Sequence, residues 1–328
     1  VVGAGVIGLG AARALADDGF AVTVYEQDRV GSKLGSSPGR SRIFRRAYDD
    51  PAYVRLAVLA NAEWRKLDPS LLCTSGLLLH GAEVSRWADA MAAAGQPGRW
   101  LEPAEAEALM PEARFTGPVL LDADAGAVMA DDALQALARG VEVREATRID
   151  DPRELEADVV AVCAGPWLGR LFDLPLWSRI EQVSYFRGAP DDRPAVVQTG
   201  GDGHNHHYAL VAPGVGYKVA EGEIRGKWDP DRPDRPVEPE VTARLVAYVR
   251  AAFPGLDPEP VHSEACLYTH SPDSDFILDT IDGVVVCGGD SGHAFKFGPL
   301  LGRLVADLAQ GRPLPPEAER FRCDRLAV

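Results

Sequence analysis

Gly3, Gly5 and Gly8 stand as G-x-G-x-x-G two residues into the chain, and their surroundings limit the fold more than any other feature. Behind them runs VIGLGAARALADDG, with Ile7, Ala11, Ala14 and Leu15 at helical spacing and Gly19 as a stop. FAVTVYE follows, a β-branched and aromatic run ending in Glu26. Strand, glycine turn, helix, strand and acid in this order predict a dinucleotide-binding βαβ unit. In such a unit the helix amino end receives the pyrophosphate, and a carboxylate placed like Glu26 holds a ribose hydroxyl. Gly3 permits the tight turn, Gly5 the approach of backbone to phosphate, and Gly8 close helix–strand packing. A chance glycine turn would not bring this context with it. Glutamate at the end of the second strand suits NAD and FAD equally, so the fingerprint leaves the dinucleotide open. Val1 and Val2 are a short remnant for a first parallel strand, and the natural protein is expected to begin a few residues earlier.

A chain of 328 residues accommodates two domains. No apolar run reaches a membrane-spanning length, and no secretory leader pattern opens the chain. The net charge of −15 offers no basic stripe for nucleic acid. Cys73, Cys163, Cys266, Cys287 and Cys323 are scattered, odd in number and never C-x-x-C. That is neither a disulfide framework nor a zinc site, and it suits a reducing cytoplasm. His204, His206 and His207 lack the carboxylate or cysteine spacing of a metal centre and read as a loop-to-strand surface; no metal is expected.

Beyond the first unit come a Gly/Ser-rich loop (GSKLGSSPGRS), a helix carrying Tyr53, Leu56, Ala60, Trp64 and Leu67, and a strand at CTSGLLLHG. Val159–Ala164 reads as a strand buried on both faces. From 177 to about 262 short strands dominate, with one helix at VTARLVAYVRAAFP; DPDRPDRPVEPE reads as a surface loop. GVVVCGGDSGHAFKFGPLLGRLV then returns to strand, loop and helix. A nucleotide fold is thus interrupted and resumed. Its C-terminal strand is expected beside the first, with the helix near Phe297 aiming its positive end at the cofactor. A flavin, anionic when reduced, gains from that; nicotinamide does not.

GAGVIG (3–8), GSSPGRSRIFRRAY (35–48), AGPW (164–167), GYKVA (216–220), CLYT (266–269), DFILD (275–279) and GGDSGHAFKF (288–297) carry a resemblance across nearly the whole chain. Together they resemble the monomeric sarcosine oxidase and N-methyltryptophan oxidase group of FAD-dependent amine oxidases, in the D-amino-acid oxidase superfamily. The resemblance implies an α/β fold: a discontinuous Rossmann-like FAD-binding domain (1–76, 127–176 and 263–328) and a substrate domain on a mixed, mostly antiparallel sheet (77–126 and 177–262). It implies that Ser36, Arg42, Gly165, Trp167, Gly289, Gly292, Phe295 and Lys296 join Gly3, Gly5, Gly8 and Glu26 in binding FAD. Cys266 would carry a thioether to the flavin 8α position, although a cysteine in an apolar strand can equally be a small buried hydrophobe. Tyr268, sharing its strand face, would point into the substrate cavity. Lys218 would offer positive charge where O₂ takes its first electron. Arg45 and Lys296 would hold a substrate carboxylate, with Tyr208 and His293 lining the cavity.

Two departures bear on the substrate. Gly222 stands where the sarcosine enzymes carry a histidine four residues after the lysine, and Ser37 and Pro38 replace the histidine pair of their GSHHG loop. A site enlarged in this way suits an N-methyl or cyclic secondary amino acid better than sarcosine. The expected protein is a monomeric oxidase taking a small amino acid and O₂, releasing an imine and H₂O₂, without nucleic-acid or membrane partners. The rivals are a flavin dehydrogenase with another acceptor, a glycine-oxidase-like enzyme for primary amino acids, a flavin-binding subunit without turnover, and an NAD-dependent dehydrogenase.

Overall fold

Val2 sits at the centre of the nucleotide-binding layer, bridging in parallel to Tyr25 on one side and Val162 on the other. Thr23–Tyr25 continues outward to Glu142–Arg144. On the far side Ala161–Val162 pairs in parallel with Val284–Gly288, and Ile277–Ile281 closes that edge antiparallel. This computed structural model describes residues 1–200, 207–222 and 226–326. The C-terminal strand is therefore not beside the first, as the sequence suggested. The VVAVCAG run (159–165) intervenes, because Val2 and Cys163 donate their N–H groups to the Ala161 and Val2 carbonyls at 2.8 Å. The apolar run predicts burial on both faces, but burial does not order strands.

The helix Val6–Asp17 begins at Gly5 and packs on the C-terminal helix Gly298–Ala309. Their contact is backbone to backbone: a Cβ on Gly302 would lie 2.2 Å from the Gly10 carbonyl carbon. A Cβ on Gly8 would lie 2.0 Å from the Gly3 oxygen, so the third fingerprint glycine serves the packing expected of it.

The second layer is an eight-stranded sheet. Its order is His262–His270, Trp177–Phe186, Gly216–Glu221, His207–Ala212, Ala195–Thr199, Leu77–Gly81, Val119–Asp122 and Arg99–Leu101. Every neighbouring pair is antiparallel except Ala195–Thr199 with Leu77–Gly81. The expected α/β class, with a mixed and mostly antiparallel second sheet, is met. The edge strand His262–His270 crosses the boundary placed between 262 and 263, so the last segment assigned to the FAD-binding domain starts inside this sheet.

Alternation along the sheet decides which side chains reach the site. Tyr217 and Val219 pack outward beneath the helix Pro239–Ala252, with Leu245, Val249 and Phe253. Lys218 between them must face the other way. That inner face meets a small sheet of Ser41–Phe44, Gly126–Met129 and Leu72–Cys73, tied on by a 2.5 Å hydrogen bond from Ser41 Oγ to the Val211 carbonyl. Among the described residues no helix is long and apolar enough to cross a membrane.

Candidate active site

The glycine turn opens onto a long, solvent-connected cleft. Gly3, Gly5, Glu26, Ser36, Arg42, Gly165, Trp167, Gly292 and Phe295 all line it, as does Tyr268. Gly8 and Gly289 lie behind the wall and shape it. Gly289 has φ +66°, and a Cβ there would press on Ile277 at 3.2 Å. Gly3, at φ +101°, has no room for a side chain, since a Cβ would stand 2.4 Å from the Cys163 oxygen. The Glu26 carboxylate accepts from the Ala4 N–H at 2.8 Å and the Asp28 N–H at 3.0 Å, which fixes it at the cleft floor.

These residues fit a dinucleotide on the structure's own terms. Bare backbone crowds the turn at a helix amino end, an acid stands at the ribose position, and the buried Ser36 Oγ in the cleft wall has no hydrogen-bond partner among the described residues. Ser37 Oγ accepts from the Val6 N–H at 3.1 Å, so it caps the first helix. Ser37 and Pro38 thus line the dinucleotide cleft, and their replacement of histidines says less about substrate size than the sequence reading supposed.

At one end of the cleft Arg42 donates to the Ser36, Pro38 and Ser41 carbonyls at 3.0, 2.6 and 3.0 Å and lies over the Phe295 ring. Two groups of side chains flank it. In the first, Lys218 is 4% exposed and its Nζ donates to the Ser41 carbonyl at 2.5 Å. Burial, reinforced by Arg42, lowers its pKa to about 7. The Tyr208 and Tyr268 hydroxyls lie 3.2 Å apart; burial raises both phenols, so both stay protonated. Cys266, two residues before Tyr268 on the edge strand, is a free thiol pushed up by burial while Arg42 pulls the other way.

The second group is built around Tyr48. Arg45 lies over its ring at 4.1 Å and over Trp87 at 4.6 Å. From the other side Lys296 Nζ donates to the Tyr48 hydroxyl at 3.0 Å and to the His293 carbonyl at 2.8 Å. Lys296 is 2% exposed, and burial together with Arg45 holds its pKa well below the usual lysine range. His293 Nδ1 lies 3.3 Å from the same hydroxyl, and burial keeps its imidazole neutral. Neither Arg45 nor Lys296 has an ion-pair partner among the described residues, whereas Arg46 is bound to Asp122 at 2.6 Å. Arg45 and the buried Lys296 amine thus meet at Tyr48 without an ion-pair partner among the described residues.

Residues 1–308 match the DAO family, described as FAD dependent oxidoreductase. The chain belongs to the FAD-dependent oxidoreductase family. It is 30% identical to the peroxisomal sarcosine oxidase of Mus musculus, covering all of this chain and 96% of that protein. It is 26% identical to the N-methyl-L-tryptophan oxidase of Salmonella newport (strain SL254), covering all of this chain and 98% of the other. Among solved structures, the L-proline dehydrogenase of P. horikoshii superposes with a TM-score of 0.85 at 21% identity, over 99% of this chain and 96% of that one.

Membership of the FAD-dependent oxidoreductase family settles the cofactor that the fingerprint left open and removes the NAD-dependent rival. The expected sarcosine-oxidase-like oxidoreductase, acting on CH–NH bonds, is met. Of the expected site residues, Gly3, Gly5, Glu26, Ser36, Arg42, Gly165, Trp167, Tyr268, Gly292 and Phe295 line the cleft, Gly8 and Gly289 lie behind its wall, and Lys218, Tyr208, Cys266, Arg45, Lys296 and His293 stand in the two groups. His207 stacks on Tyr248 at 3.8 Å, His204 and His206 lie outside the described residues, and no group of described His, Cys, Asp or Glu could hold an ion. Sequence reading missed Tyr48 and Trp87. Tyr48 stood inside the RRAY motif but carries no charge to flag it, and Trp87 sits in an ordinary amphipathic helix. It also missed Asp290, a cleft-wall acid that burial raises to about 6.

Proposed function

We propose that this FAD-dependent oxidoreductase oxidises a secondary α-amino acid, N-methyl or cyclic, to its imine, with O₂ as acceptor and H₂O₂ as product. The observation that carries this reading is the meeting of Arg45 and Lys296 around Tyr48, neither in an ion pair among the described residues. Arg45 binds the substrate carboxylate, Lys296 adds a point charge, and Tyr48 keeps the two cations apart. Tyr208 and Tyr268, protonated and hydrogen-bonded, line the remaining wall. They orient the amine as a neutral group, whose lone pair must assist departure of hydride from carbon. Bound FAD supplies the electron acceptor for that hydride and passes the electrons on. The chain supplies position and charge.

Lys218 supports O₂ as the acceptor. It is buried on the inner sheet face beside Arg42, where a cation stabilises the negative charge that oxygen acquires. The rival of a dehydrogenase with another acceptor is tested by comparing turnover with O₂ and with an artificial dye. We assign a thioether to Cys266, supported by its place on the edge strand two residues from the cleft-lining Tyr268. Segments 1–76, 127–176 and the chain beyond the edge strand make up the FAD-binding part; the large sheet is the substrate part. A monomer in a reducing cytoplasm accords with the free state of the five cysteines.

The deciding experiment anaerobically mixes the holoenzyme with a panel of N-methyl, cyclic and primary amino acids and follows bleaching of the flavin. Bleaching by secondary amino acids, and peroxide on admitting air, is the expected result. Bleaching only by primary amino acids would move the protein to the glycine-oxidase-like reading, and none at all would leave a flavin-binding subunit.

A further inference from the structure

The Asp/Pro-rich stretch read from sequence as a surface loop bonds, from outside, to both walls of the cofactor cleft. Both its ends are pinned to the large sheet. The Trp228 N–H donates to the Ser178 carbonyl at 2.7 Å, and the Glu238 N–H donates to Gln182 Oε1 at 2.7 Å. Between the pins residues 226–238 are internally braced, with Arg232 bound to Asp234 at 2.7 Å and lying over the Trp228 ring at 4.1 Å.

From this braced segment two side-chain groups reach the two lips of the cleft. On one lip, Asp231 Oδ1 accepts from the Trp167 indole N–H at 2.7 Å, and its Oδ2 accepts from Arg170 at 2.6 Å. Arg170 also donates to Asp229 at 2.6 Å, and Arg148 approaches Asp231 at 3.7 Å. On the other lip, Arg235 donates to three successive carbonyls, those of Lys33, Leu34 and Gly35. Trp167, Arg148, Leu34 and Gly35 all line the cleft, and none of residues 226–238 does. The strap grips the wall from outside and joins lips that are far apart in sequence.

We propose that residues 226–238 are a latch that retains FAD, with Asp231 and Arg235 as its two catches. This rests on the FAD-binding reading of the cleft. A dinucleotide entering or leaving must part Trp167 from the Gly/Ser-rich loop, and the strap ties each of them to the large sheet. The catches are of different kinds. The Asp231 catch is ionic and half exposed, so salt weakens it. The Arg235 catch is a fork on backbone carbonyls, which a lysine cannot reproduce.

The test uses the full chain carrying Cys266→Ala, so that no tether hides release. FAD is bound to the flavin-free protein and its dissociation is followed by recovery of flavin fluorescence. Asp231→Ala and Arg235→Lys are each expected to speed release by about 10-fold or more, the scale of one or two charge-assisted hydrogen bonds. The melting temperature of the flavin-free protein is expected to hold. Added salt accelerates release from the Cys266→Ala parent and leaves Asp231→Ala unaffected. Should Asp231→Ala fail to fold, Asp231→Asn, of the same shape without the charge, carries the same expectation of faster release. Release at the parent rate from the variants, with flavin bound, overturns the latch alone. A parent that binds no FAD overturns the cofactor reading and the latch with it.

Discussion

Lys218 and Lys296 are both buried amines, yet their surroundings assign them different work. Lys218 has a backbone carbonyl as partner and Arg42 as a neighbour; Lys296 has a phenol, a carbonyl and the nearby Arg45. Lys218→Met is expected to slow reoxidation of the reduced enzyme by O₂ by about 10²-fold or more, the usual cost of losing one preorganised charge, while anaerobic flavin reduction changes little. Stopped-flow traces of the two half-reactions separate these effects. In the parent, reoxidation should slow as pH rises through the pKa of Lys218. That limb lies at or above 7, because a reduced flavin nearby favours the ammonium, and it should vanish in Lys218→Met. Arg45→Ala is expected to raise KM by about 10–100-fold, since a charged hydrogen-bonding partner is worth roughly 1.5–3 kcal/mol; Lys296→Met should act in the same direction. Steady-state kinetics on the best substrate of the panel would show it. Arg45, Lys218, Lys296 and Cys266 stood out as candidates because each stands in a compact motif and bears a reactive or charged group. Tyr48 and Trp87 were not, because an aromatic side chain with helical or motif neighbours reads as core until a cation is seen lying on it.

At the scale of elements, the first and last helices meet through glycine. Gly302→Ala would push a methyl into the Gly10 backbone, and it should destabilise the protein by about 2–4 kcal/mol. Gly8→Ala, aimed at the Gly3 carbonyl, should do at least as much and should also impair flavin uptake. Denaturant unfolding of the flavin-free variants measures both. The fingerprint glycines were readable because their spacing is tied to one turn geometry. Gly10, Gly298 and Gly302 were passed over, because a glycine in a helix identifies no partner until the opposing helix is placed. Strand existence was legible for the same reason that strand order was not. Alternation and β-branched content act locally, whereas the insertion of Ala161–Val162 between the first and last parallel strands depends on which edges are left to pair.

For the whole molecule, the buried cations make stability depend on pH in a known direction. A lysine whose pKa falls on folding binds fewer protons folded than unfolded, so stability rises with pH between the two values. For Lys218 that window runs from about 7 upward to the ordinary lysine value of 10.5, and Lys296 adds to it. The flavin-free protein should therefore gain thermal stability as pH rises from 7 towards 9, and Lys218→Met should flatten the slope. A small carboxylate such as acetate, binding between Arg45 and Lys296, should raise the melting temperature most at the acid end of that range. Differential scanning calorimetry across pH, with and without acetate, checks both. The presence of a second, mostly antiparallel sheet was legible as a change of strand pattern along the chain. The bonds from residues 226–238 to the cleft walls were not, because Asp and Pro in a row signal exposure and give no hint of what they touch.

The Arg45–Arg46 doublet has a parity. Asp122 takes the Arg46 guanidinium and its backbone N–H, at 2.6 and 2.8 Å, and Gln96 and Asp124 hold its remaining nitrogen. With the second arginine moored on that side, the first is turned towards Tyr48. A single-residue insertion or deletion between Ser41 and Arg45 would offset the strand from this mooring by one. The Asp122 berth would then draw the wrong guanidinium, and the sequence would keep both arginines while the pocket changed the one it receives.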